Sequence, residues 1–250
     1  MHVSRIGLAP VKGTRHADLA TVELTAEGPL GDRVFCLVDR SRGRVLRTVE
    51  NPALVGTSAR WHDGVLTTVL PDGVVEGVPA PGGDPVEADY WGRTAALEVV
   101  RGPWSDAFSD HVGRRVELAR ATRPGEVVYA GPVSLVTSSS LERLERATGS
   151  RVDSAQFRAT FTVATPDEPA HVEDSWVGGR LRIGGAEVEV RSRLARCAVV
   201  DLDPETGVRR GDVLARLAGY RRAHTGIVFG VDAVVTTPGR VGVGAVVERS

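Results

Sequence analysis

The chain has 250 residues, of which 42% are hydrophobic and 25% charged, with a formal net charge of -1. This length allows one large domain or two small ones with a sizeable core, and the balanced charge excludes a broad nucleic-acid-binding surface. With no bilayer-length apolar stretch and no signal peptide, we expect a cytoplasmic protein without a membrane partner. Two cysteines far apart in sequence make no disulfide framework, which fits a reducing compartment.

The N-terminal half is a series of short β-branched segments separated by turn residues. Residues 39–43 and 71–73 are predicted hairpin turns. Residues 105–112 form a predicted helix with Ser105 as its N-cap. Cys36 lies in an apolar strand and is predicted to be core packing without chemistry. The predicted strands of this half are residues 3–8, 21–24, 34–38, 44–48, 66–70, 116–118 and parts of 84–100.

The C-terminal half continues this pattern with two helices. Ser139 and Glu142 form a predicted capping box for a helix that ends near Gly149. Residues 212–220 form the second predicted helix. The predicted strands here are residues 133–137, 160–163, 180–183, 187–191, 226–235 and 241–247, together with a short strand that starts at Cys197.

Strands therefore outnumber helices, and the alternation of strand and helix that is typical of parallel sheets is not evident. The polar segment 119–126, which contains a Pro-Gly pair, is the predicted boundary between domains of residues 1–118 and 125–250. We predict a mostly β protein in which an antiparallel β-barrel with peripheral helices packs with an N-terminal β-barrel-like module.

Cys197 is the first candidate functional residue. It stands beside Arg196, close in sequence to Arg191 and Arg193, and precedes the turn Asp203-Pro204-Glu205-Thr206-Gly207. An electropositive setting favours the thiolate, which is the form that ligates metals and attacks electrophiles. The alternative is that Cys197 is a small buried hydrophobe.

A set of cationic candidates accompanies this thiol. Lys12 is the only lysine among 31 basic residues, and lysine suits a phosphate at close quarters; the alternative is a chance survivor of a codon bias towards arginine. Arg33 and Arg158 each precede a strand and could point towards an anion, although Arg33 could equally be a surface partner of Asp32. The free N–H groups of the helix after Thr137 form a further predicted anion site.

Together these residues resemble the MOSC superfamily (molybdenum cofactor sulfurase C-terminal domain), in particular its two-part, amidoxime-reducing members. The similarity covers nearly the whole chain. In the N-terminal half it is carried by Pro10-Val11-Lys12, Gly31-Asp32-Arg33, Asn51-Pro52-Ala53-Leu54 and Trp91-Gly92. In the C-terminal half it is carried by Ser140-Leu141, Phe157-Arg158, Glu173-Asp174-Ser175-Trp176, Arg196-Cys197, Asp203-Pro204-Glu205-Thr206-Gly207, Phe229-Gly230 and Pro238-Gly239.

The resemblance implies an enzyme with a molybdenum cofactor (Mo-molybdopterin) in which Cys197 is the metal ligand and the catalytic residue. The implied reaction reduces N-hydroxylated compounds, such as amidoximes, hydroxylamines and hydroxamic acids, by oxygen-atom transfer. Because the sequence has no four-cysteine cluster, the electrons are expected from a separate protein. A pyridoxal phosphate site is not expected. The residues implied in cofactor binding are Lys12, Gly13, Arg33, Thr137, Ser139, Ser140, Arg158, Arg196 and Cys197.

Three positions depart from the family pattern. Gly13 replaces a serine that commonly follows the lysine, Val200-Asp201 replaces a Thr-Thr pair, and Ala159-Thr160 stands where Pro-Asn is typical. Two other functions therefore stay open. One is a sulfur-carrying or sulfur-transferring protein that uses Cys197 as a persulfide carrier or thiol nucleophile. The other is a non-catalytic carrier of the molybdenum cofactor.

Overall fold

The computed structural model describes residues 1–82 and 84–250 and is mostly β, which confirms the predicted fold class. Among these residues no helix is both long and apolar enough to cross a bilayer. The first half contains β1 (His2–Leu8), β2 (Ala17–Leu19), β3 (Thr21–Thr25), β4 (Gly28–Pro29), β5 (Phe35–Asp39), β6 (Arg44–Val45), β7 (Ser58–His62), β8 (Val65–Leu70), β9 (Gly73–Gly77), β10 (Ala80–Tyr90), β11 (Arg93–Arg101), α1 (Trp104–Val112) and β12 (Glu117–Ala121).

The second half contains fewer strands and two of the three α-helices. They are β13 (Val133–Thr137), α2 (Ser138–Thr148), β14 (Phe161–Ala164), β15 (Arg180–Ile183), β16 (Ala186–Ala195), α3 (Val213–Ala218), β17 (Arg222–Ala223), β18 (Gly226–Thr237), β19 (Gly239–Gly242) and β20 (Val247–Arg249). Short 3-10 helices lie at Arg40–Arg42, Pro52–Gly56, Ser154–Phe157, Val172–Trp176 and Ala198–Asp201.

A closed barrel forms the centre of the first half, with the strand order β10-β11-β12-β5-β6. Its ladders are antiparallel except where β10 meets β6. Cys36 lies fully buried in β5, which confirms that it is core packing, and this burial raises the pKa of its thiol to about 12. The other buried members of this core cluster are Val38, Val45, Ala88, Tyr90, Ala95, Leu97, Ala119 and Val127.

The second half is built around a nine-stranded sheet with the order β2-β1-β14-β13-β18-β16-β15-β20, and β17 lies beside β18. The sheet returns on itself, because the N–H of Val3 donates to the Ala245 carbonyl at 2.9 Å and that of Val247 to the Met1 carbonyl at 3.0 Å. Its pairs are antiparallel except β13 and β14, which run parallel with α2 as the crossover. The sequence pattern did not predict this single parallel unit.

Strand pairs connect the two predicted domains. Strand β1 pairs with β14, and β19 pairs with β3, so each half completes a sheet of the other. The division into residues 1–118 and 125–250 stays a prediction about the sequence segments. In three dimensions the two segments share two sheets.

The predicted helix caps are wrong at both of the helices for which a serine was chosen. Thr137, not Ser139, is the N-cap of α2, and its hydroxyl accepts from the Ser140 N–H. Helix α1 begins at Trp104, and Ser105 lies inside it. The Ser105 hydroxyl instead accepts from the Leu118 N–H at 3.0 Å, which ties α1 to β12.

Cys197 does not begin a strand, as had been predicted, but caps the 3-10 helix Ala198–Asp201. The cause is Asp201, which is 2% exposed. Its carboxylate accepts from the Leu214 N–H at 2.8 Å and from Arg209 at 3.0 Å. This polar anchor turns the chain inwards and buries Val200 in the cluster formed by α2 and α3.

Two further predicted strands differ in length. The predicted strand 44–48 ends at Val45, and the backbone carbonyl of Leu46 instead accepts from the Lys12 ammonium at 3.0 Å. The predicted strand 241–247 is divided into β19 and β20, because the chain turns between Gly242 and Val247 to reach β1.

Because Cys36 has no exposed surface, Cys36→Ser places a hydroxyl in an apolar barrel. We expect the free energy of unfolding to fall by about 1–2 kcal/mol. Chemical denaturation of the two proteins measures this difference. An unchanged stability would contradict the packing role assigned to this thiol.

Candidate functional site

A cavity of about 250 Å³ is lined by residues from both halves of the chain. Its walls come from the loop after β1, the hairpin between β10 and β11, the 3-10 helix Ser154–Phe157 and the segment after β16. Six of the nine predicted site residues line it: Lys12, Gly13, Arg33, Arg158, Arg196 and Cys197.

Lys12 is held at the place where β1 leaves its own sheet and reaches the barrel. Its backbone N–H donates to the Phe35 carbonyl at 2.8 Å, and its ammonium lies 5.2 Å from the centre of the Tyr90 ring. Desolvation lowers its pKa from 10.5 to about 8, and the charges of Arg158 and Arg33 act in the same direction. The negative charge around the Lys12 ammonium is therefore too small to offset its burial.

Gly13 keeps the loop beside Lys12 tight. Its φ of +100° lies where side chains are strained, and a Cβ atom there would stand 2.9 Å from Leu54 Cδ1. The serine that commonly occupies this position in the family would meet this obstacle. The left-handed backbone at this position therefore favours glycine over serine.

Arg33 and Arg158 both have a left-handed backbone, with φ of 49° and 50°. Arg33 pairs with Asp32 at 3.0 Å, but the pair is not on the surface, because the side chains are 16% and 4% exposed, and Arg33 also lines the cavity. Arg158 donates to the Thr14 carbonyl at 2.7 Å. Desolvation and the neighbouring Arg33 lower the pKa of Arg158 to about 10. Strained backbone of this kind persists where the surrounding structure enforces it.

Arg196 is fixed by two backbone carbonyls. Its Nε donates to Phe229 at 2.7 Å and its Nη1 to Phe157 at 2.8 Å. Its Nη2 is buried and has no hydrogen-bond partner among the residues that the structure describes. Desolvation lowers its pKa to about 10, against the opposing effect of Cys197. The guanidinium is thus held at two points and leaves one buried donor unsatisfied.

Cys197 presents an exposed, free thiol in the same cavity. Its positive surroundings differ in part from those predicted. Arg191 pairs with Glu189 and Arg193 lies 3.9 Å from Asp174, and neither lines the cavity. Arg196, the neighbour of Cys197, does line the cavity as predicted, and the other cations that line it come from segments distant in sequence.

Thr137, Ser139 and Ser140 do not reach the cavity. Thr137 and Ser140 donate to the Glu173 carboxylate at 2.7 and 2.8 Å, and Ser139 contacts the Thr165 hydroxyl at 2.9 Å. Glu173 is fully buried, and desolvation raises its pKa. The anion at the start of α2 is therefore a carboxylate of the chain itself. The structure does not support the prediction that this helix end meets a ligand.

Several cavity residues were not among the predicted site residues, including one arginine and three aromatic residues. Arg47, Tyr90, Trp91 and Tyr129 line its wall, and Trp91 and Tyr129 are 43% and 54% exposed. The available signal was Trp91-Gly92, a two-residue turn between two strands in which a bulky aromatic occupies the position that asparagine or aspartate favours.

Family models match nearly the entire chain. The MOSC domain matches residues 110–248, and the MOSC N-terminal beta barrel domain matches residues 1–94. The chain belongs to the MOSC family. This MOSC protein is 26% identical to mitochondrial amidoxime-reducing component 1 of Homo sapiens, over 97% of its own length and 81% of the relative's.

Two further relatives show the breadth of the family. Mitochondrial amidoxime reducing component 2 of Macaca fascicularis is 27% identical, over 88% of this chain and 72% of the relative. A molybdenum cofactor sulfurase of Neosartorya fischeri is 30% identical over 40% of this chain, but that match spans 14% of the sulfurase. These relatives connect the MOSC protein to molybdenum-cofactor function.

Because Ser140 donates to Glu173 rather than to a ligand, Ser140→Ala leaves a buried carboxylate short of one donor. We expect the free energy of unfolding to fall by about 1–3 kcal/mol. Denaturant unfolding measures the loss. Isothermal titration with inorganic phosphate serves as the second measurement, and weakened phosphate binding without a loss of stability would contradict this structural role.

The lowered pKa of Lys12 predicts a pH dependence of stability. Between pH 8 and 10.5 the unfolded chain keeps its ammonium proton while the folded chain loses it, so the free energy of unfolding rises with pH through this window. Lys12→Met removes the buried charge. We expect the cofactor-free variant to have a higher Tm at pH 7 and a gain that shrinks towards pH 10. An equal difference in Tm at both pH values would contradict the assignment.

Proposed function

We propose that this MOSC protein is a molybdenum-cofactor-dependent oxidoreductase that reduces amidoximes, hydroxylamines and hydroxamic acids. One observation carries the proposal. The exposed thiol of Cys197 shares a cavity with Lys12, Arg33, Arg158 and Arg196, whose charges come from four separate segments. Such a set suits a phosphorylated ligand that contains a metal with affinity for thiolate.

The residues present fit the cofactor in both charge and chemistry. Basic side chains line the cavity, while no carboxylate does so within residues 1–82 and 84–250. Desolvation lowers the pKa of Lys12, Arg158 and Arg196, so a bound anion would offset the cost of their burial. The free Nη2 of Arg196 offers a further hydrogen bond.

Each side chain then has a distinct role. Cys197 supplies the soft sulfur ligand to molybdenum, and Lys12, Arg33 and Arg158 bind the phosphate. Arg196, anchored on two carbonyls, holds the backbone just before the thiol in place. When bound, the cofactor supplies the two-electron chemistry that removes an oxygen atom from the substrate nitrogen. Electrons come from a separate protein, and we place the reaction in the cytoplasm.

The exposure of the thiol also favours a second candidate. A cysteine with an accessible sulfur beside fixed cations can carry a persulfide, and the molybdenum cofactor sulfurase relative matches part of this chain. The same basic cavity would serve a carrier that binds the cofactor without turnover. These functions differ in whether molybdenum or sulfane sulfur is bound to the protein and in whether an N-hydroxylated substrate is reduced.

One preparation separates the three functions. The protein is purified from a host that makes the molybdenum cofactor, and molybdenum and sulfane sulfur are measured per chain. Benzamidoxime reduction is followed with reduced methyl viologen as electron donor. Near-stoichiometric molybdenum with turnover supports the reductase. Molybdenum without turnover supports the carrier, and sulfane sulfur without molybdenum supports the sulfur-transfer protein.

Matched serine substitutions test the metal ligand. Cys197→Ser replaces an exposed sulfur with a harder oxygen, so we expect loss of bound molybdenum and of benzamidoxime reduction at an unchanged Tm. Cys36→Ser is the control, since it alters a buried thiol outside the cavity lining and should keep its molybdenum. Full molybdenum content and activity in the Cys197 variant would overturn the assignment.

A further inference from the structure

The hairpin between β10 and β11 stores backbone strain at the cavity wall. Tyr90 pairs with Arg93, which leaves Trp91-Gly92 as a two-residue turn with φ of 58° and 81°. Both values are left-handed, and a bulky aromatic residue is a rare occupant of such a position. Strain of this kind is concentrated at functional sites.

A second hairpin of the same chain shows that the turn itself does not require tryptophan. Between β7 and β8, Asp63-Gly64 forms the same two-residue connection, with φ of 48° and 78°. Asp-Gly is a favoured sequence for this turn. The Asp63-Gly64 turn does not line the cavity, whereas Trp91 does.

The indole ring is held from one side. The Arg47 guanidinium lies 4.3 Å from the centre of the Trp91 ring, and Arg47 is itself anchored to Asp89 at 3.2 Å. The N–H of Gly92 also donates to Asp89, at 2.8 Å. A single carboxylate thus fixes both the turn and the cation that stacks on the indole.

Tyr129 forms the other part of the aromatic rim. Its ring centre lies 5.8 Å from that of Trp91, at an interplanar angle of 59°. Both residues are about half exposed, and both line the cavity that Cys197 also lines. Two tilted, exposed rings offer faces and edges to a further aromatic ring, in the offset or edge-to-face geometry that such rings prefer.

We propose that Trp91 and Tyr129 form an aryl-binding subsite that selects N-hydroxylated substrates bearing a planar aromatic ring over those bearing a saturated group. This inference rests on the proposed function for its chemistry. The rim supplies the recognition, because the strained turn holds the indole at the cavity rather than in the core. Arg47 covers one face of the indole and leaves the remaining surface for the substrate.

The test compares benzamidoxime with cyclohexanecarboxamidoxime, which has the same ring size but no aromatic face. In Trp91→Asn the turn gains a residue that favours a left-handed backbone, so the variant should fold with an equal or higher Tm. We expect the ratio of kcat/KM for the aryl over the saturated substrate to fall about two- to tenfold, mainly through KM, because one aromatic contact is lost. Tyr129→Leu should lower the same ratio.

Asp63→Asn is the matched control, because it changes the equivalent turn outside the cavity and should leave the ratio unchanged. An unchanged ratio in both rim variants, or an equal loss for both substrates, would overturn the subsite. Quenching of tryptophan fluorescence by benzamidoxime gives a readout independent of turnover. Quenching that disappears in Trp91→Asn supports the subsite even if the wild-type protein reduces neither substrate, a result that would reject the proposed function alone.

Discussion

The site depends on one continuous segment that belongs to two sheets. Strand β1 pairs with β14 in the nine-stranded sheet, and the residues directly after it hydrogen-bond to the barrel. The Arg33 N–H donates to Ala9 and that of Phe35 to Pro10, each at 2.9 Å. This segment ties the two sheets together and leaves the cavity where their residues meet. It brings Lys12 to the cavity, which Cys197 of the second half also lines.

The electrostatics of the cavity follow from this geometry. Lys12, Arg158 and Arg196 are drawn out of water by residues of both sheets, and desolvation is the largest cause of the lowered pKa of each. Only part of their hydrogen-bonding capacity is used by backbone carbonyls. An unneutralised cluster of this kind is costly to fold and favourable for binding an anion. The buried cations thus lower the stability of the free protein, and binding of an anion would raise it again.

The start of α2 contrasts with the cavity, because its polar side chains already have an acceptor within the fold. Helix N-termini attract anions, and this one does have an anion beside it. The anion is Glu173, whose carboxylate is buried and accepts from Thr137 and Ser140. Glu173 thus lies inside the second half, whereas within residues 1–82 and 84–250 no carboxylate lines the cavity.

The sequence by itself determined the mostly β class, the positions of most strands, and the types of residue at the site: an isolated lysine, arginines next to strands, and a cysteine before a proline turn. These are local signals, carried by side-chain chemistry and backbone preference over a few residues. Only the tertiary structure decided that Lys12, Arg33, Arg158, Arg196 and Cys197 meet, that Ser139 and Ser140 face inwards, and that Trp91 reaches the cavity. The physical reason is that burial, desolvation and pairing arise between strands far apart in sequence. No local sequence pattern shows which charged side chain will form an ion pair or hydrogen bond in the folded protein.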